Sequence, residues 1–145
     1  MATVAQSSTH PGTPSKVLKV SLWIAQGLLA VLFGMAGVMK AFMPVPDLLA
    51  NGINYAADLP IGLLRFIGIA ELSGAIGVIL PAITRVKPQL TWVAAAGLAT
   101  IQVLAMCFHA SRGEFLHVLP MNLMLLIPAL FVVWGRSLKA PILPK

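Results

Sequence analysis

The chain has 145 residues, 59% hydrophobic content, only 10% charged residues and a mean hydropathy of +0.93, which is too apolar for a water-soluble domain and reads as one small integral membrane domain. Its net charge of +6 and pI near 10.1 do not point to nucleic acid, because the basic residues gather just outside apolar runs, where they act as topology signals. The single cysteine, Cys107, excludes an internal disulfide and a CxxC dithiol, and so a thiol-disulfide relay carried by this chain alone.

Residues 1–19 begin MATVAQSSTHPGTPS, small and polar with Pro11 and Pro14, and are predicted to be a disordered tail. The apolar run that follows exceeds the ~7 to 15 residues of a secretory signal core, so the reading is tail and anchor. A first span is predicted at about 20–42, introduced by Lys16 and Lys19 and closed at Lys40 and Phe42 ahead of Pro44 and Pro46. The connection 43–60, MPVPDLLANGINYAADLP, carries two acids, an Asn-Gly pair and a short helix predicted from Asp47; it reads as an interfacial segment folded over the mouth of the bundle.

A second span, 61–83, ends at Pro81 and the basic turn TRVKPQ at 84–89. The third, 90–109, contains AAAG at 94–97, whose small side chains predict a helix deep in the bundle. After the loop HASRGEFLH the fourth span runs 118–134, with Pro120 suited to its first turn and Pro128 predicting a kink. Residues 137–145 form a basic tail. The expected fold is an all-α membrane protein, a bundle of four transmembrane helices over 20–136.

Orientation follows from the Lys and Arg bias. Lys16, Lys19, Arg85, Lys87, Arg136, Lys139 and Lys145 lie on the side of the termini, and only Lys40, Arg65 and Arg112 lie on the other, which predicts both termini in the cytoplasm. Asp47, Asp58 and Glu114 all fall on the outer side, while Trp23, Trp92 and Trp134 fall at the cytoplasmic helix ends. For a bacterial chain this means the inner membrane.

Glu71 stands near the middle of the second span, about 15 Å from its start at a rise of about 1.5 Å per residue. A carboxylate at that depth needs a partner or a water-filled cavity. Counting depth along the other spans brings Lys40, Arg65, Gln102, His109 and Asn122 into the outer half, with Arg112 and Glu114 on the loop above; the inner half holds little beyond Gln26, Ser73 and Thr91. The expectation is a polar, partly charged pocket opening outward around Glu71. Each residue also has a plainer reading. Glu71 and Asn122 can serve as interhelical ties, Arg65 can snorkel to the outer headgroups, Lys40 is ambiguous in the same way, and His109 can be an interfacial group. His109, Cys107, Glu114 and His117 have no recognised metal spacing; Cys107 reads as a small buried hydrophobe, and Gly68, Gly74 and Gly77 as packing surface.

GMAGVMKAF at 34–42, GIAELSGAIGVILP at 68–81, a third helix ending in His109 followed by Arg112-Gly-Glu114, and a fourth helix holding Asn122 and ending in Gly135-Arg136 together resemble the DoxX-like family of small four-helix membrane proteins. The resemblance spans about 22–136 and carries over Lys40, Glu71, His109, Arg112, Glu114, Asn122 and Arg136. It implies a membrane subunit, in some relatives linked to quinone-dependent sulfur oxidation or membrane oxidoreductases, and in a distant animal branch similar to an assembly chaperone for receptor subunits.

No dithiol, metal cluster or nucleotide loop is present, which points away from an autonomous enzyme with an intrinsic cofactor; a quinone would have to bind in the pocket. The sequence therefore suggests an accessory or binding subunit, its partners being the bilayer, a small amphipathic ligand or another membrane protein. Two other functions remain open: a proton-coupled transporter using Glu71, and an enzyme using Glu71 and His109 as an acid-base pair, although helical rise separates their depths by about 15 Å.

Overall fold

The computed structural model describes residues 13–145, and the predicted tail lies outside them up to residue 12. Every regular element in the described residues is helical. α1, Lys16–Phe42, starts four residues earlier than the hydropathy suggested, because Ser15 accepts a hydrogen bond from the Leu18 backbone N–H at 3.1 Å and caps the first turn. Met43 is extended ahead of Pro44, and the short α2, Val45–Ala50, follows with Pro46 in its first turn. A single 3₁₀ turn at Asn54–Ala57 leads to α3, Ile61–Thr84; α4, Leu90–Ser111, and α5, Phe115–Trp134, complete the set, with α5 running on into a wide turn at Gly135–Lys139.

Two connections close in the same way. After α2, Gly52 N–H donates to the Leu49 carbonyl and Ile53 N–H to that of Leu48; after α4, Gly113 N–H donates to Ala110 and Glu114 N–H to His109. Each is a paired C-terminal closure whose turning residue needs positive φ, met by Gly52 at 81° and Gly113 at 74°. The second one shortens the expected loop to residues 112–114. α5 therefore starts at Phe115, which places Pro120 in its second turn and Asn122 beyond its first.

The four long helices are long and apolar enough to cross a membrane. Their outer faces carry exposed aliphatics such as Val31, Met35, Ile69, Ile76, Leu104 and Ile127, an arrangement suited to lipid. The protein is thus an integral multi-pass membrane protein. Its helices form a closed ring in the order α1, α3, α4, α5 around a core of Leu29, Phe33, Val78, Leu98, Ala129 and Val132. The described chain ends and the α3–α4 turn share one end, here the hairpin end; α2, the 3₁₀ turn and the α4–α5 turn share the other, the loop end.

α4 is buried as deeply as α1 and α3, so the depth that its small residues suggested is shared among three helices. Its Ala95 and Ala99 lie in the shared core beside Leu98, and Ala94 makes a close approach to Gly77. The closest crossing lies instead between α1 and α3. A Cβ added to Gly68 would stand 2.5 Å from the Ala41 backbone nitrogen, and one on Gly37 would stand 2.8 Å from the Gly68 carbonyl oxygen, so backbone meets backbone there. Cys107, expected to be buried, is exposed on the outer surface of α4.

Gly68→Val is expected to force α1 and α3 apart and to destabilise the bundle by about 1–3 kcal/mol or more. Gly62→Ala faces open space within the same helix and should leave stability unchanged. Thermal unfolding in detergent, followed by circular dichroism, distinguishes them, and equal midpoints would contradict the packing.

Candidate functional site

The glycine crossing fixes the geometry of a buried ion pair. Lys40 follows Gly37 by three residues and Glu71 follows Gly68 by three, so each charge sits one turn along from the contact on the same helix face. Lys40 Nζ donates to both carboxylate oxygens of Glu71, at 2.5 and 2.7 Å, with both residues buried. In hydrocarbon an isolated charge of either sign is costly, and two charge-assisted hydrogen bonds offset that cost. Arg65 does not snorkel to the headgroups as expected; its Nη1 donates to the Lys40 carbonyl at 2.7 Å and satisfies a free acceptor at the C-terminal end of α1.

Above this pair the 43–60 connection folds down onto the bundle. Leu48, Ala56 and Leu64 form a second small core with Met39, Ile53 and Leu59 packed against it. This core holds Tyr55 in place, edge-on to His109 at 5.2 Å and to Phe108 at 6.3 Å between ring centroids. The Tyr55 phenol lies within the fields of both Lys40 and Glu71, and burial pushes its pKa above the usual value.

A cavity of about 320 Å³ opens from the ion pair between α3 and α4. Lys40, Glu71, Tyr55 and His109 supply its polar groups, while Leu59, Leu63, Phe66, Ile67, Ala70, Ile101, Leu104, Ala105 and Phe108 supply hydrocarbon. Nine of thirteen lining residues are thus apolar, and the outward-opening polar pocket expected from depth counting is corrected to a largely apolar cleft with a polar floor. Leu63, Phe66 and Leu104 at its rim are 45%, 67% and 62% exposed on membrane-spanning helices, so the cleft opens sideways toward lipid.

The eight expected pocket residues separate into four groups. Lys40, Glu71 and His109 line the cleft. Gln102 and Asn122 do not, because Gln102 Nε2 donates to Asn122 Oδ1 and Asn122 Nδ2 to the Val118 carbonyl at 2.9 Å, tying α4 to α5. Arg65 caps α1. Arg112 and Glu114 form a latch above the cleft: Arg112 Nε and Nη2 donate to the two Glu114 oxygens at 3.1 and 3.0 Å, and Nη1 donates to Asp58 on the connection. His109 Nδ1 lies 3.0 Å from Glu114 Oε2, so the carboxylate holds the imidazole in orientation. Glu71 and His109 border the same cleft despite their separation in depth, but each is bonded elsewhere.

Three contributors were missed by sequence reasoning. Tyr55 is the only tyrosine in the chain and Asp58 had been counted only as a topology signal, so both offered a faint clue. The wall of Phe66, Leu104 and Phe108 offered none, since an apolar residue in a span carries no mark of facing a cavity.

The DoxX-like family profile matches residues 24–132, a stretch that includes the ion pair, His109 and the Gln102–Asn122 tie. Searches of the curated proteins and of the solved structures found no match.

The latch predicts a titration. Hydrogen bonds from Arg112 and then His109 hold the Glu114 pKa down to about 2. A carboxyl with a lowered folded pKa stabilises the fold above its usual range and loses that contribution as pH falls toward the folded value. The latch is therefore expected to persist at neutral pH and to fail between the usual carboxylate range and about pH 2. Carboxyl-carbon NMR of Glu114 should titrate near 2, and at a higher pH in Arg112→Ala, where only the His109 contact remains; an ordinary midpoint in the wild type would contradict the latch.

Proposed function

The chain belongs to the DoxX-like family of membrane proteins, and on that footing we propose that it is an accessory or binding subunit whose cleft holds a small amphipathic molecule of the quinone or lipid-like class. The observation that carries this reading is the joining of a hydrocarbon-lined cavity, open to lipid, with a floor of charged and hydrogen-bonding groups. A ligand already dissolved in the bilayer would enter between α3 and α4 without crossing an aqueous phase. Its apolar body would lie along Phe66, Ile67 and Leu104, and its polar head would meet Lys40, Tyr55 and His109.

The floor suits a head group that both accepts and donates hydrogen bonds. The Lys40 ammonium and the Tyr55 hydroxyl are donors suited to a carbonyl oxygen such as that of a quinone. His109, whose Nδ1 lies 3.0 Å from Glu114 Oε2, leaves its Nε2 for a hydroxyl or carbonyl of the head group. Glu71 and His109 already hold Lys40 and Glu114, which favours binding over acid-base catalysis by that pair. The basic bias of the hairpin end would face it to the cytoplasm and set the cleft in the opposite half of the membrane.

Ala105 lines the cleft from α4, whereas the ion pair belongs to α1 and α3, so Ala105→Trp fills the space and keeps the charged groups of the floor. Native mass spectrometry of wild-type protein from mild detergent, offered a short-chain quinone, is expected to show one bound molecule per chain. Ala105→Trp should lose it while its thermal midpoint stays within a few degrees of wild type. An empty wild type, or equal occupancy in the two proteins, would overturn the proposal.

A further inference from the structure

The hairpin end has a chemistry opposite to that of the loop end. All four acids of the chain lie elsewhere: Asp58 and Glu114 hold Arg112, Glu71 holds Lys40, and Asp47 belongs to α2. Among the described residues, Lys19, Arg85 and Arg136 have no carboxylate partner, and they converge on a pocket of about 270 Å³ with Trp23 and Leu143.

Arg136 is the unusual member. The wide turn at Gly135–Lys139 swings it inward, leaving it 6% exposed. Its Nε donates to Gln26 Oε1 at 2.7 Å, Gln26 Nε2 donates onward to the Val78 carbonyl at 2.6 Å, and the guanidinium lies 5.3 Å from the Trp23 ring centroid. The fork is thus clamped in orientation by α1 and α3. One arm has little to hold: Nη1 reaches the Ala140 carbonyl only at 3.4 Å, and Nη2 is buried with no hydrogen-bond partner among the described residues. An ion pair is not needed to fold this end, since Lys19 and Arg85 are exposed, yet a buried cationic fork with an unfilled donor favours an oxyanion beside it.

We propose that this pocket binds a phosphate oxyanion, supplied by the headgroup of an anionic phospholipid. Phosphate matches the guanidinium fork, and the two exposed cations add charge attraction. The setting favours the lipid source over a free ion. The pocket lies at the ends of membrane-spanning helices, Trp23 beside it is 39% exposed at the level where indoles meet headgroups, and Leu143 offers an apolar contact to an acyl chain. The site is separate from the cleft at the loop end and does not depend on what that cleft holds.

The test is native mass spectrometry of the full chain with phosphatidylglycerol, phosphatidylcholine or inorganic phosphate as probe. Phosphatidylglycerol is expected to be retained at one copy per chain, to outcompete phosphatidylcholine and to resist millimolar inorganic phosphate. Lys19→Ala with Arg85→Ala alters exposed residues outside the bundle core, so the fold should stand; phosphatidylglycerol affinity is expected to fall about thirtyfold, near fivefold for each charge removed. Arg136→Gln should weaken it further but also removes the Gln26 contact, so the exposed pair is the deciding variant. Equal retention of the two lipids, displacement by inorganic phosphate, or unchanged affinity in the exposed-pair variant would each overturn the proposal.

Discussion

The close approach of α1 and α3 at Gly37 and Gly68 is the constraint on which the rest of the loop end depends. With any side chain at these positions the two backbones would stand farther apart, and Lys40 and Glu71, one turn away, would lose their contact. Two buried charges would then each face hydrocarbon alone, a far costlier state than the pair. The same crossing puts the Lys40 carbonyl within reach of Arg65, so the end of α1 is satisfied from the start of α3. The cleft follows from this geometry: α3 is held to α1 by backbone contact and to α4 through Ala94 nearer the hairpin end, and the space between α3 and α4 above the ion pair is left for Tyr55 and His109 to border.

The bundle's two ends divide its polar chemistry. At the loop end every acid except Asp47 has a basic partner, and Arg112 bridges Asp58 to Glu114 across two connections, so that end is closed by internal pairing. At the hairpin end the cations outnumber any carboxylate that could meet them, and Arg136 is positioned by a neutral glutamine and an indole. One end satisfies its charges from within the chain; the other presents them toward the headgroup region.

Much of the fold could be read directly from the sequence, because hydropathy over about 20 residues and the prolines that interrupt it are local properties. The four spans emerge with errors of a few residues, and those errors have local causes, such as the Ser15 cap and the Gly113 turn. The site was legible only in part. Depth along a helix is a one-dimensional quantity; it placed Lys40, Glu71 and His109 in the outer half, and all three border the cleft. It could not supply the direction each side chain takes around its helix, so Gln102 and Asn122 looked like pocket walls although they face one another. Arg65 fits the same pattern: its depth suited snorkelling, but its acceptor lay on a neighbouring helix. Tyr55 was hidden for another reason, since its place depends on the packing of Leu48, Ala56 and Leu64, which no periodicity announces.

A double-mutant cycle on Lys40→Met and Glu71→Leu, read by reversible unfolding in detergent, tests the central claim most directly. If the pair is buried and mutually dependent, each single substitution leaves an unpaired charge and is expected to cost about 3–5 kcal/mol, while the double variant loses far less than the sum. Additive single effects, agreeing with the double variant within about 0.5 kcal/mol, would show that the two side chains do not depend on each other and would contradict the account.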